Sequence, residues 1–386
     1  MGYLGTLALI LAATMLLAHF SLQIGVPAVI GELLAGIILG PALLGWVAPS
    51  HLVSEFSEIG VIILMFIAGL ESDLTMLKKY FRPGVLVAVI GVIFPIALIG
   101  GFAMVWGFDF TAASFLGITF AATSVSISVE VLKELNALDS RGGATILGAA
   151  VVDDILTVII LSVAVGMFGT GDGNKWPLWL TLLLQLAFFA VIFFVVKWAA
   201  PYLMHLAERL LPGSAVMVMS LLLCLTMAFL ADQFGLSAVI GAFFAGVAVS
   251  ETPYREEVDV SIGAIGYALF IPVFFVSIGL NMRLDGLLQD LPFIAIITVL
   301  ALLTKWVGCG LGAKMAGLDN HDAGVVGAGM VSRGEMALIV AQIGFDAHLL
   351  DKDFYSAVIL TIILTTLIAP FMLKRALRQG GDVAEQ

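Results

Sequence analysis

The sequence predicts an all-α integral membrane protein with about 13 transmembrane helices, and two observations carry that prediction. Hydrophobic residues make up 61% of the 386 and charged residues 12%, with a mean hydropathy of +1.13, far from the balance of a water-soluble domain. The apolar residues fall in runs of about 18 to 25, the length a helix needs to cross the hydrocarbon core. Without a strong alternation of apolar and polar residues, helices are expected rather than a β-barrel. The formal net charge of -11 argues against nucleic acid as a partner.

Breaks at Pro, Gly and charged clusters divide the chain into thirteen spans. The first, 3–20, lacks the basic n-region and cleavage site of a signal peptide and reads as a retained span. The second, 27–45, carries Glu32 directly after Gly31, near an expected cytoplasmic mouth. The third, 58–72, ends at Glu71 and Asp73, which read as a solvated helix end. The fourth covers 84–106. The fifth, 111–133, has the run Thr123-Ser124-Val125-Ser126-Ile127-Ser128 at its middle, hydroxyl-rich and β-branched and so a poor helix interior. The sixth, 141–167, holds Asp153 and Asp154 side by side. A polar loop with Asn174, Lys175 and Pro177 leads to the seventh, 178–200. The eighth to eleventh follow at 213–232, 236–250, 260–280 and 291–315. Cys224 and Cys309 lie in the eighth and eleventh without a CxxC spacing and read as packing residues. The twelfth, 322–345, carries Val331-Ser332-Arg333-Gly334-Glu335, and the thirteenth is 354–373. His19, His51, His205, His321 and His348 fall in or beside loops, so no histidine metal cluster is expected.

Charge orients the spans. With the N-terminus outside, the inner loops hold Lys78, Lys79, Arg82, Lys133, Arg141, Lys197, Arg209, Arg255, Lys314, Lys374, Arg375 and Arg378, and the outer loops hold Lys175, Arg283 and Lys352. That split, twelve to three of the 17 basic residues, obeys the positive-inside rule and puts the C-terminus in the cytoplasm. The remaining two, Lys305 and Arg333, lie within spans.

Ala28-Val29-Ile30-Gly31 and Ala35-Gly36 recur about 210 residues later as Ala238-Val239-Ile240-Gly241 and Ala245-Gly246, and Gly69-Leu70 recurs as Gly279-Leu280. The offset lays spans four, five and six on eleven, twelve and thirteen. Paired spans differ by seven, an odd number, so each copy crosses the membrane in the opposite sense. Inverted repeats of this kind mark secondary transporters, whose sites lie near midplane at discontinuous helices. The same offset brings the Thr123–Ser128 run into register with Val331–Glu335. Both are expected to be breaks, tolerated where protein or a water-filled cavity satisfies the freed backbone, with Glu335 near a positive half-helix end and Arg333 near a negative one.

A single carboxylate near the middle of a membrane helix costs roughly 2.5 to 3.5 kcal/mol on insertion scales, so two adjacent ones imply a site for a cation or a proton. Neighbouring helical residues point about 100° apart, so Asp153 and Asp154 cannot face the same partner. One is expected to face a cavity and bind an ion, the other to turn to a cationic side chain. Lys305 is the expected partner, because the repeat sets spans six and eleven close together; two unit charges at 4 Å attract by about 4 kcal/mol at an effective dielectric near 20. A carboxylate that takes either a proton or a small hard cation, but not both, is by itself an exchanger when access alternates.

With Leu147-Gly148-Ala149-Ala150-Val151-Val152-Asp153-Asp154, Ala122-Thr123-Ser124-Val125 and Gly329-Met330-Val331-Ser332-Arg333-Gly334-Glu335, the chain resembles the NapA-type sodium/proton antiporters of the second monovalent cation:proton antiporter family, with the NhaA fold. The resemblance covers essentially the whole chain. It implies exchange of Na+ or Li+ for H+ across the cell inner membrane, electrogenic because the aspartates are paired. It makes Asp154 the ion-binding carboxylate, with Asp153, Thr123 and Ser124 as further candidate ligands, and Asp153 the bridge to Lys305. Thr123, Ser124 and Ser126 match the unwound part of the first crossing helix, and Arg333 and Glu335 that of the second. It also implies a homodimer and elevator-like movement. The dimerisation domain would be 1–83 and 213–290, the core 84–167 and 291–386, and 168–212 a linking helix. No cofactor is expected beyond the transported ions. The sequence reaches Gln386 without a GxGxxG, so no cytoplasmic nucleotide-binding domain is expected in it.

Potassium/proton exchange is the near alternative, since a carboxylate with hydroxyl and backbone oxygens does not fix ion size. A sodium-coupled organic-anion symporter would not need a lysine paired with two aspartates. An intramembrane aspartyl protease would need two aspartates converging from separate helices, and the GxGD string Gly169-Thr170-Gly171-Asp172 falls in a polar loop.

Overall fold

The computed structural model describes residues 2–71, 81–124, 128–129, 131–132, 135, 137, 140–168, 178–210, 214–234, 236, 238–283, 289–350 and 352–378. Among them are fourteen helices: α1 (Tyr3–Gln23), α2 (Ala28–Leu39), α3 (His51–Glu71), α4 (Phe81–Trp106), α5 (Phe110–Thr119), α6 (Arg141–Phe168), α7 (178–208), α8 (Ala215–Gln233), α9 (Ala238–Ser250), α10 (255–281), α11 (Leu291–Met315), α12 (Asn320–Gly329), α13 (Gly334–Asp346) and α14 (Lys352–Arg378).

Among the described residues, nine helices are long and apolar enough to cross a membrane, and Ala28–Leu39, Phe110–Thr119, Ala238–Ser250 and Met336–Asp346 are shorter apolar helices. The described residues thus give nine helices of membrane length, and the expected count of about thirteen would need the shorter ones. The expected second span stops at Leu39, where Gly40 and Pro41 end the helix. The expected fifth stops at Thr119, and the expected twelfth is divided into α12 and α13 by the non-helical residues 330–333. Two single π-helical turns, Val195–Ala199 within α7 and Gly266–Phe270 within α10, each precede a proline by two residues, Pro201 and Pro272. The missing proline N–H leaves a carbonyl one turn back unserved, and the helix widens there.

Elements recur about 210 residues apart along the chain: α5 with α12, α1 with α8, α2 with α9, α4 with α11 and α6 with α14. The local chemistry recurs with them. Gly107 and Gly317, both at positive φ, end α4 and α11 in the left-handed turn that a glycine adopts without a Cβ penalty. Phe108 N–H then reaches back to Ala103 O and Leu318 N–H to Ala313 O. Asp109 and Asp319, two residues on, cap the N-termini of α5 and α12 with their carboxylates.

The chain divides into two compact units. The first comprises Met1–Asp73, Val165–Met167 and Gly171–Met282. Its helices meet at glycines: Gly36 of α2 lies against Gly279 of α10, and Gly69 of α3 against Gly246 of α9. Gly31 lies on the backbone at Leu17, and Gly241 on the backbone at Met227. A membrane core offers no hydrophobic drive between helices, so small residues that let backbones touch supply the packing. The second unit comprises Leu74–Ala164, Phe168–Thr170 and Arg283–Gln386. In it α4 runs along α11, Gly117 of α5 sits on Ile96, and Gly327 of α12 sits on Trp306.

Candidate cation-binding site

Among the described residues the fully buried charged side chains, Asp153, Lys305 and Arg333, all belong to the second unit. Lys305, on α11, donates to Asp153 Oδ1 of α6 at 2.8 Å, and both side chains are 0% exposed. The same ammonium donates to the carbonyl of Ala121 at 2.6 Å, just past the end of α5. Gly91 of α4 makes the room: a Cβ there would run into Cys309, one turn from Lys305. The ammonium thus has two partners, a carboxylate and a non-helical backbone carbonyl that needs a donor where it is buried. Asp154, the next residue on α6, is half-buried.

Arg333 is fully buried where the chain passes from α12 to α13. Its guanidinium donates to the carbonyls of Ala122 and Ala301, at 3.3 and 2.5 Å. These are the negative ends of peptide dipoles, which stand in for a counter-charge. The two breaks touch: Ser124 N–H donates to Ser332 O at 2.9 Å through the backbone, and the Ser128 hydroxyl donates to Gly329 O. Gly334 N–H at the start of α13 donates to Thr366 Oγ1 of α14 at 3.0 Å. Each freed backbone group named here finds a protein partner, as a break at membrane depth requires.

Several buried oxygens remain without a hydrogen-bond partner among the described residues: Thr123 Oγ1, Asp153 Oδ2, Thr157 Oγ1, Thr298 Oγ1, Thr304 Oγ1 and Ser332 Oγ. Hard oxygen donors without protons to accept are the ligands that small alkali and alkaline-earth cations take.

Of the residues singled out in the sequence, Asp153, Lys305, Thr123, Ser124 and Arg333 lie at or beside these contacts, and Asp154 follows Asp153 on α6. Ser126 lies outside the described residues. Glu335 lies in the first turn of α13, and its side chain is outside the described part. Glu32 is half-buried on α2, in the first unit. The carbonyls of Ala121, Ala122 and Ala301 had no sequence signal, because every residue has one. The histidine expectation needs one correction: His321 does lie with Asp319 and Asp322, their ligand atoms all within 4.8 Å. Asp319 is engaged there as the cap of α12, accepting from Asp322 N–H at 2.8 Å, which accounts for the grouping.

Buried charges of both signs, gathered at two helix breaks in a bundle of membrane helices, define an ion-transporting membrane protein. The chain belongs to the sodium/hydrogen exchanger family, whose transmembrane domain it matches over residues 8–379. It is 52% identical to a Na(+)/H(+) antiporter of Enterococcus hirae, over 97% of this chain and 98% of that one. It is 44% identical to the Na(+)/H(+)-K(+) antiporter GerN of Bacillus cereus, over 95% and 94%. Its fold is similar to the solved sodium proton antiporter MjNhaP1 of Methanocaldococcus jannaschii, with a TM-score of 0.70 and 19% identity over 97% of each chain. The family is one of transmembrane exchangers, so the protein is a multi-pass membrane transporter and not an enzyme.

Proposed function

We propose that this protein is a secondary active transporter that exchanges Na+ or Li+ for H+, with the cation and the proton competing for Asp154. The observation that carries the reading is the fully buried Lys305–Asp153 pair beside a second carboxylate on the same helix. Burying two charges is expensive, and a pair that only braced the bundle would have no use for a third charge one residue away. In this reading Asp154 takes the ion, with Thr123 and Ser124 as further oxygen donors. An arriving cation draws Asp153 away from Lys305, and its departure lets the bridge re-form.

The finer assignments belong to the same proposal. The protein is of the NapA type with the NhaA fold, its halves are inverted copies, and α5 and α12–α13 are its crossing helices. Exchange is electrogenic. The second unit is the transport core and carries the site in an elevator movement, while the first forms a homodimer with a second copy. The protein sits in the lipid of the cell inner membrane with its N-terminus outside and its C-terminus in the cytoplasm. The recurrence of elements at about 210 residues supports the two copies, and the distribution of basic residues supports the orientation.

Potassium is the second reading, favoured by the name of the Bacillus cereus relative. One assay separates the two. In liposomes carrying a pH gradient, sodium or lithium should collapse the gradient, and Asp154→Asn should abolish the response. A wild type that answers potassium alone overturns the sodium assignment, and one that answers no cation overturns antiport.

A further inference from the structure

Thr157 stands one turn beyond the aspartate pair on α6. At about 100° per residue, Asp154 is turned about 100° from Asp153, and Thr157 about 40°, so its side chain projects between the two carboxylates. The residue that projects between them one turn earlier is Ala150, a methyl group with no donor or acceptor. An oxygen reaching this face from α6 along the helix axis therefore comes from the Thr157 side.

The hydroxyl of a threonine inside a helix ordinarily donates to a carbonyl of its own preceding turn. Thr119 does so to Phe115 O at 3.0 Å, Thr145 to Arg141 O at 2.8 Å and Thr361 to Ala357 O at 2.9 Å. Thr157 is 2% exposed, and its Oγ1 has no hydrogen-bond partner among the described residues. Asp153 Oδ2, the carboxylate oxygen that Lys305 does not occupy, is in the same state. Two buried oxygens on adjacent turns of one helix, neither with a protein partner among the described residues, are hard donors of the kind a small cation takes. Thr298 and Thr304 also lack partners, but they lie on α11 with the ammonium rather than with the carboxylates.

We propose that Thr157 Oγ1 is a ligand of the transported cation, forming with the Asp153 and Asp154 carboxylates the oxygen set that selects a small, dehydrated ion. This rests on the antiport reading above and adds to it a residue that touches the cargo.

The test uses the full chain reconstituted in liposomes, with the half-saturating concentrations of Na+ and Li+ as the readout. Thr157→Val keeps the shape and removes the oxygen; it should raise both concentrations by about tenfold, with the maximal rate changed much less. Thr157→Ser, which restores the oxygen, should return them to the wild-type range. Wild-type half-saturation in the valine variant overturns the proposal, as does a fall in maximal rate alone, since a packing role would give that. Where the valine variant fails to fold, Thr157→Cys is read by the same criteria, because it keeps the size and replaces a hard oxygen by a soft sulfur. A wild type that exchanges no cation removes the antiport reading and this one together. A wild type that exchanges normally beside an indifferent variant removes only this one.

Discussion

Lys305 and Arg333 solve the same problem in different ways. Both are cations with no exposure, yet Lys305 has a carboxylate partner while Arg333 is held by the carbonyls of Ala122 and Ala301. The difference predicts unequal responses to truncation. Lys305→Ala leaves the Asp153 charge buried and unpaired, which should cost about 3 to 5 kcal/mol, seen as a lower melting temperature of the purified protein. Asp153→Asn combined with Lys305→Gln removes both charges and should recover a large part of that loss while leaving exchange impaired. If the single variant melts and transports like the wild type, the bridge has no role in either. The pair itself was legible in the sequence, because a charge in an apolar run stands out and few candidates exist to match it. The carbonyls that complete the coordination of both cations were not, since every residue carries one and only the folded chain brings those of Ala121, Ala122 and Ala301 to the two cations. Thr157 was hidden for a related reason: a threonine in an apolar helix is expected to satisfy itself.

At the scale of elements, the repeat was visible in short strings around Gly31, Gly36 and Gly69, and the folded chain gives those glycines their purpose. Gly36 meets Gly279 and Gly246 meets Gly69, so each contact joins one copy of the repeat to the other. A Cβ on Gly36 would run into Val276 O, and one on Gly246 into Phe66 O; carbonyls in a helix cannot move aside as a side-chain tip can. Gly36→Ala and Gly246→Ala should therefore each destabilise by about 1 to 3 kcal/mol, by similar amounts because their surroundings are alike. Gly101, inside α4, has open space around its Cβ position. There the sign should reverse, with Gly101→Ala stabilising by about 0.5 to 1 kcal/mol through helix propensity. Thermal unfolding of the three variants in one detergent checks the set, and an unchanged Gly36→Ala would refute the close backbone approach. The turns Gly107-Phe108-Asp109 and Gly317-Leu318-Asp319 are equally plain in the sequence. Each supplies a helix stop and a helix cap within three residues. The breaks after Thr119 and Gly329 were legible as runs of poor helix formers, whereas the residue at which each helix stops was not.

For the whole molecule, the distribution of basic residues argues for the proposed direction, which the helices alone leave open. An apolar helix inserts equally well either way up, and the free energy that chooses comes from lysines and arginines kept on the cytoplasmic side. With the N-terminus outside, the segment between α2 and α3 faces out and the one between α11 and α12 faces in. Ala48 is exposed in the first of these, and Asn320 is exposed where the second enters α12. The native cysteines, Cys224 and Cys309, are both buried and should stay silent toward a charged maleimide that cannot cross the bilayer. Such a reagent should label Ala48→Cys in intact cells and not Asn320→Cys, and should reverse its preference in inverted vesicles. The opposite pattern would turn the molecule over, and with it the side from which a proton gradient drives the cation. Labelling of both positions from one side would overturn the odd number of crossings assigned between them. Phe110, exposed at the start of α5, stands 210 residues before Asn320, and the proposed inversion of the two copies requires equivalent positions to lie on opposite faces. Phe110→Cys should therefore label with Ala48→Cys and not with Asn320→Cys.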